Sequence, residues 1–176
     1  GKTLGFGIPM LQRLVAPQDD AWAEFATAGK PQALVIVPTR ELGIQVASDL
    51  QKAGRIRGVR VHCVYGGRSY EPQVEALEKG IEVVVGTPGR LIDLMKQGHL
   101  KLGQVKTLVL DEADEMLDMG FLPDVERLVA QVSPVRRSCR NSSTRPARPP
   151  IRSPNSATWF SETASMPSSD TSRPAT

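Results

Sequence analysis

Four times between residues 33 and 114 a short apolar run stops at a polar cluster. The runs at residues 33–37, 59–65, 82–85 and 107–110 are short, and most are rich in Val, Ile or Leu. Near-continuous apolar strands predict a parallel sheet covered on both faces, since a sheet with one wet face shows alternation instead. Helical stretches lie between the runs. Residues 40–52 carry Leu42, Val46 and Leu50 on one face, and residues 72–79 carry Val74 and Leu77. Residues 89–96 carry Leu91, Ile92 and Met95, and residues 121–132 carry Val125, Leu128, Val129 and Val132. Strand and helix in alternation predict an α/β domain with right-handed crossovers. The stretch from Pro17 to Pro31 reads as a surface insertion in which Trp22 and Phe25 fit a short helix.

The clusters carry the chemistry. In an open α/β sheet, ligands bind beyond the carboxyl ends of the strands. There the chain places Pro38-Thr39-Arg40, Gly66-Gly67-Arg68, Gly86-Thr87-Pro88-Gly89-Arg90 and Asp111-Glu112-Ala113-Asp114. The acids at 111–114 repel one another unless a cation or substrate uses them. Asp111, at the strand tip, suits Mg²⁺, which takes one or two protein carboxylates and fills its shell with phosphates and water. Glu112 can then orient or deprotonate an attacking water. The alternative is a helix-capping acid cluster favoured by the helix dipole. Gly1-Lys2-Thr3 matches the end of GxxxxGK[ST], in which Lys reaches phosphate oxygens and the hydroxyl binds Mg²⁺. One metal would then be shared by Thr3, Asp111 and a nucleotide. Thr39 and Thr87 stand where helices begin and suit capping. Arg40, Arg68 and Arg90 add charge beside glycines, and such a row can follow a nucleic-acid backbone without reading bases. The alternative for each is a plain N-cap or a surface ion pair, as for Arg40 with Glu41 or Asp49.

Totals exclude other classes. No stretch of about 18 apolar residues predicts a membrane span, and the start shows no signal-peptide pattern. Cys63 and Cys139 lack a CxxC neighbour, so zinc is not expected. Reduced thiols in a cytoplasmic protein are. The net charge is +3, yet residues 133–176 hold seven arginines, no lysine and two acids, which leaves residues 1–132 with two net negative charges. That C-terminal stretch has 11 serines and seven of the 14 prolines. It cannot bury enough apolar surface to offset its ordering entropy, which predicts disorder. His62 reads as a core or sheet-face residue and His99 as exposed. Asp118 and Glu126 read as surface acids, and Tyr65 and Tyr70 are too few for a base-stacking platform.

With these residues in place the chain resembles the first RecA-like domain of DEAD-box RNA helicases. The resemblance rests on GKT at 1–3, PTREL at 38–42, YGG at 65–67, TPGRLIDL at 87–94 and VLDEADEMLDMGF at 109–121. It covers residues 1–132 and implies a parallel-sheet RecA-like (P-loop NTPase) domain with helices on both faces, to which composition adds the disordered tail of 133–176. It further implies ATP and Mg²⁺ as cofactors and RNA as partner, with ATP hydrolysis coupled to strand separation. Gly1, Lys2, Thr3, Asp111 and Asp114 become nucleotide-site residues, with Thr3 and Asp111 on the metal. Lys2, Asp111 and Glu112 become catalytic, and Asp114 links the ATP site to other motifs. Pro38, Thr39, Arg40, Gly66, Gly67, Arg68, Thr87, Pro88, Gly89 and Arg90 become RNA-backbone contacts. The family's second RecA-like domain, with its arginine finger, has no counterpart in these residues, which predicts little or no activity for the chain alone. Ser156-Ala157-Thr158 spells a family motif but follows no apolar strand, and the composition breaks near Ser138. A non-catalytic, truncated RNA-binding module is the alternative. A DNA-directed helicase or other P-loop ATPase fits the DEAD and PTREL letters less well.

Overall fold

The computed structural model describes residues 2–24 and 28–132. The 133–176 segment, with Cys139, Trp159-Phe160 and Ser156-Ala157-Thr158, lies outside the described residues, as do Gly1 and Phe25.

Four strands form at the four apolar runs: β1 (Ala33–Ile36), β2 (Val61–Val64), β3 (Val83–Gly86) and β4 (Thr107–Leu110). They make one parallel sheet in the order β2-β3-β1-β4. The helices are α1 (Lys2–Gln12), α2 (Arg40–Gly54), α3 (Glu71–Glu78), α4 (Pro88–Lys96), α5 (Ala113–Asp118) and α6 (Leu122–Gln131). The path from β1 to β2 runs one way across the sheet, and the steps β2–β3 and β3–β4 run the other way. Right-handed crossovers then demand that α2 cover one face and α3 and α4 the other. The burial agrees. Ala33, Val35, Val37, Val83 and Val85 pack with α1 and α2, whereas Leu34, Ile36 and Val84 pack with α3, α4, α5 and α6.

The centre is the most deeply buried part. Every residue of β1 and β3 is buried, and each large aliphatic there contributes about 1.5–3 kcal/mol of transfer free energy. At the border strand β4, by contrast, Leu110 is 41% exposed.

The helix α1 has no clear signal in the sequence, because Gly5, Gly7 and Pro9 all weaken helical propensity. Packing supplies what propensity lacks. A Cβ on Gly7 would lie 2.5 Å from Leu50 Cδ2, so the glycine lets α1 approach α2 closely. Met10, Leu11 and Leu14 are buried in the same contact. The Arg57 guanidinium then donates to the carbonyls of Leu11 and Leu14 and to the Asp19 carboxylate, satisfying groups at the end of α1.

The segment between Pro17 and Pro31 holds the expected short helix at Trp22, as a 3₁₀ turn (Asp20–Glu24), and it is anchored near its end: Gly29 is buried with its N–H on the Leu77 carbonyl (2.9 Å) and its own carbonyl accepting from Lys101 (2.7 Å). One expectation needs correction. His99 is half-buried rather than exposed, edge-on to the Tyr70 ring. His62 lies on β2, half-buried, as expected. Among the described residues no helix is long and apolar enough to cross a membrane.

Candidate active site and nucleic-acid interface

The sheet register sets the site. Ile36 pairs with both Gly86 and Leu110, and Val64 pairs with Gly86, so all four strands end level. The polar clusters therefore emerge along one edge.

The acidic end comes first. The Asp111 N–H donates to the Ile36 carbonyl (3.0 Å), fixing the backbone where β4 leaves the sheet. Glu112 then adopts φ 53° and ψ 52°, the one left-handed non-glycine among the described residues. That conformation costs about 1–2 kcal/mol for an L-residue, and strain of this kind gathers at functional sites. It turns the chain into α5, whose first turn carries the exposed Asp114. Lys2, at the start of α1, brings Nζ to 3.7 Å from Glu112 Oε1. Lys2 is open to solvent, so this pair adds little stability; its meaning is proximity. The Asp111 carboxyl sits above its ordinary range because of burial, then the Glu112 charge; a backbone hydrogen bond to Glu112 and the Lys2 charge oppose this. Thr3 is half-buried in the first turn of α1. The structure thus brings Lys2, Asp111 and Glu112 together.

A Mg²⁺ ion suits this donor set. Among the described residues no group of three or more His, Cys, Asp or Glu could hold a metal alone. Mg²⁺ does not ask for one, since phosphates and water complete its shell. The half-buried Asp111 stands beside a second carboxylate, and the solvent-exposed Lys2 only partly offsets their charge, which a cation would complete.

The basic clusters come next. Thr39 caps α2 as expected, its hydroxyl accepting from the Leu42 N–H at 3.3 Å, and Pro38 before it is buried. Thr87 has the extended backbone of an N-cap but makes no side-chain cap bond, so capping does not occupy its hydroxyl. Pro88 and Gly89 already belong to α4. Gly86, read as part of a loop, closes β3 instead. A Cβ there would stand 2.7 Å from Val64 Cγ2 and 2.8 Å from the Val64 carbonyl oxygen, so strand packing requires glycine. Gly66, Gly67 and Gly89 face open space, and Gly67 has φ +74°.

The arginines are organised by two tyrosines that the sequence marks only as too few to stack bases. Arg40 lies 5.7 Å from the centre of the Tyr65 ring while pairing with Glu41 at 3.3 Å. Arg68 Nη1 donates to the Tyr65 hydroxyl (3.1 Å). Arg90 lies 5.3 Å from the Tyr70 ring, and its Nη2 donates to the Arg68 carbonyl (3.3 Å). Gln73 holds the same loop from inside, through Tyr65 and Ser69. A lone glutamine on an amphipathic helix gives no sequence signal of such a role.

The family model described as DEAD/DEAH box helicase matches residues 1–166. The chain belongs to the DEAD/DEAH box helicase family. Curated DEAD-box relatives include the DEAD-box ATP-dependent RNA helicase CshA of Streptococcus pneumoniae serotype 4, 49% identical over 146 residues. That match covers 83% of this chain and 26% of the relative. CshA of Geobacillus kaustophilus is 45% identical over 152 residues, covering 86% of this chain and 30% of the relative. Among solved structures, the yeast DEAD-box splicing factor Prp28 superposes with a TM-score of 0.66 at 38% identity, over 75% of this chain and 30% of that one. This DEAD-box chain therefore spans between a quarter and a third of the relatives it matches here. The RecA-like parallel sheet with helices on both faces is that of the DEAD-box structures.

Proposed function

We propose that the chain provides the nucleotide site and part of the RNA path of an ATP-dependent RNA helicase. Lys2 and Thr3 hold the ATP phosphates, with Gly1 beside them, and Asp111 and Thr3 hold Mg²⁺. Bound there, Mg²⁺ would neutralise phosphate charge. Glu112 orients the attacking water and accepts its proton, a role supported by its position next to Asp111 and near Lys2. Asp114, exposed one helical step on, carries the nucleotide state to neighbouring motifs. RNA phosphates lie along Pro38-Thr39-Arg40, Gly66-Gly67-Arg68 and Thr87-Pro88-Gly89-Arg90. Donors from backbone and arginine there bind phosphate and sugar without reading sequence. The name carried by the relatives supports ATP and RNA as the ligands.

The observation that carries this reading is Lys2 Nζ at 3.7 Å from Glu112 Oε1, next to Asp111, at the same sheet edge as the three arginine loops. Unwinding needs a second RecA-like domain to close on ATP, so the 176-residue chain alone should turn over ATP slowly or not at all. We place it in the cytoplasm, in keeping with free Cys63, whose thiol burial pushes up to about 11.

In a full-length helicase carrying this segment, Glu112→Gln should lower RNA-stimulated ATP hydrolysis by about 100-fold or more and leave ATP affinity intact. Steady-state turnover and equilibrium binding of a fluorescent ATP analogue measure the two. Unimpaired turnover removes Glu112 from its role. RNA binding with no ATP binding, by both the chain and the full-length protein, would favour the non-catalytic module.

A further inference from the structure

Gln73 is a polar residue in the first turn of α3, yet it is only 3% exposed. A buried amide is costly unless its partners are present, and here they are. Its Oε1 accepts the Tyr65 N–H at 3.1 Å. Its Nε2 donates to the Tyr65 carbonyl at 3.2 Å and to the Ser69 carbonyl at 3.1 Å. The side chain pairs with Tyr65 as a strand residue would, and it grips both ends of the loop 65–69 from inside. Outside that grip Gly66, Gly67 and Arg68 face solvent.

The arginines refer to this loop. Arg68 belongs to it, Arg90 donates to the Arg68 carbonyl, and Arg40 lies over the Tyr65 ring. Among the described residues no hydrogen bond or ion pair joins this group to Lys2, Asp111 or Glu112. We propose that Gln73 is the positioning residue of the RNA interface: without touching RNA, it holds the Tyr65–Ser69 turn, and through it Arg68 and Arg90, in the form that phosphates meet. A loop already ordered spends less entropy on binding than one ordered by its ligand. This rests on the RNA-interface reading above.

A matched control exists in the same fold. Gln32, fully buried at the opposite end of the sheet, makes the same pairing with Val15: Oε1 accepts the Val15 N–H (2.9 Å) and Nε2 donates to its carbonyl (2.8 Å). Gln73→Met and Gln32→Met each remove a buried amide of one kind, but only the first underlies the arginines. The 176-residue chain and both variants are titrated against a fluorescein-labelled single-stranded RNA, with folding followed by circular dichroism. Q73M is expected to bind RNA about tenfold more weakly, and Q32M to stay within about twofold of the parent chain. Parent-like RNA affinity in Q73M, or an equal loss in Q32M, overturns the proposal. Should Q73M not fold, Gln73→Glu decides. Its protonated carboxyl still accepts from Tyr65 and donates to one carbonyl, whereas its carboxylate faces two carbonyl oxygens. Relative to the parent chain at each pH, Q73E should regain affinity as the carboxyl protonates, and a loss independent of pH overturns the brace. No RNA binding by the unaltered chain instead defeats the interface reading, and the brace with it; RNA binding that ignores Gln73 defeats the brace alone.

Discussion

Asp111 and Glu112 are neighbours under different pressures. Asp111 is tied into the end of β4 and half-buried, and its carboxyl is pushed up first by burial and then by the Glu112 charge. Glu112 bears backbone strain instead. Asp111→Asn removes the unfavourable charge. At neutral pH the unliganded variant should gain stability, of the order of 0.5 kcal/mol for a change at a half-exposed charge, while losing Mg²⁺-dependent ATP binding. The sign follows from linkage: a carboxyl with a raised folded pKa holds more protons when folded. The parent chain therefore loses stability as pH rises from the ordinary carboxylate range through the raised value. The gain in the variant should disappear below that range. Urea unfolding across pH measures it, and equal stabilities at neutral pH would discount the burial and repulsion described for Asp111. Both acids stand out in the sequence as an unexplained crowd of charge. The left-handed turn at Glu112 does not, because glutamate carries no local preference for it.

The strands form where the apolar runs stand, with ends shifted by a residue or two. Val59, Arg60 and Tyr65 fall outside β2, and Glu82 falls outside β3. Glu82 is fully buried, its carboxylate held by the Arg60 guanidinium and backbone N–H. Helices α2, α3, α4 and α6 lie where amphipathic spacing predicts them, since their apolar faces are continuous. The 3.6-residue pattern cannot reveal α1, whose stability comes from α2 rather than from its own residues. Gly86 shows the reverse case. It reads as loop chemistry, but its hydrogen atom occupies the only space between β3 and Val64. Gly86→Ala should cost about 1–3 kcal/mol by forcing β2 from β3, read as a lower midpoint in chemical denaturation. A neutral result would mean that the edge strand gives way without penalty.

The sheet as a unit concentrates positive charge where the net charge is unhelpful. Residues 1–132 carry two net negative charges, yet Arg40, Arg68 and Arg90 meet at one edge through Tyr65 and Tyr70. If three phosphates are neutralised there, the logarithm of RNA affinity should fall with the logarithm of salt at a slope of about −2 for single strands. Replacing all three arginines by alanine should flatten that contribution. The seven arginines of 133–176 should add a further salt dependence if they too meet phosphates, so a version ending at residue 132 isolates the loops. A slope unaffected by the triple replacement would place RNA elsewhere on the protein.

Local chemistry was enough to announce a parallel α/β layer and the edge at which its polar clusters emerge, because strand hydrophobicity, turn residues and crowded acids are written in consecutive letters. The same letters identified the DEAD-box motifs. Strand order, the approach of α1 to α2, the burial of Gln32 and Gln73 and the gathering of arginines around tyrosines depend on residues far apart in the chain. Such contacts have no local signature: an exposed polar side chain and a buried, fully bonded one read alike until the fold closes around them.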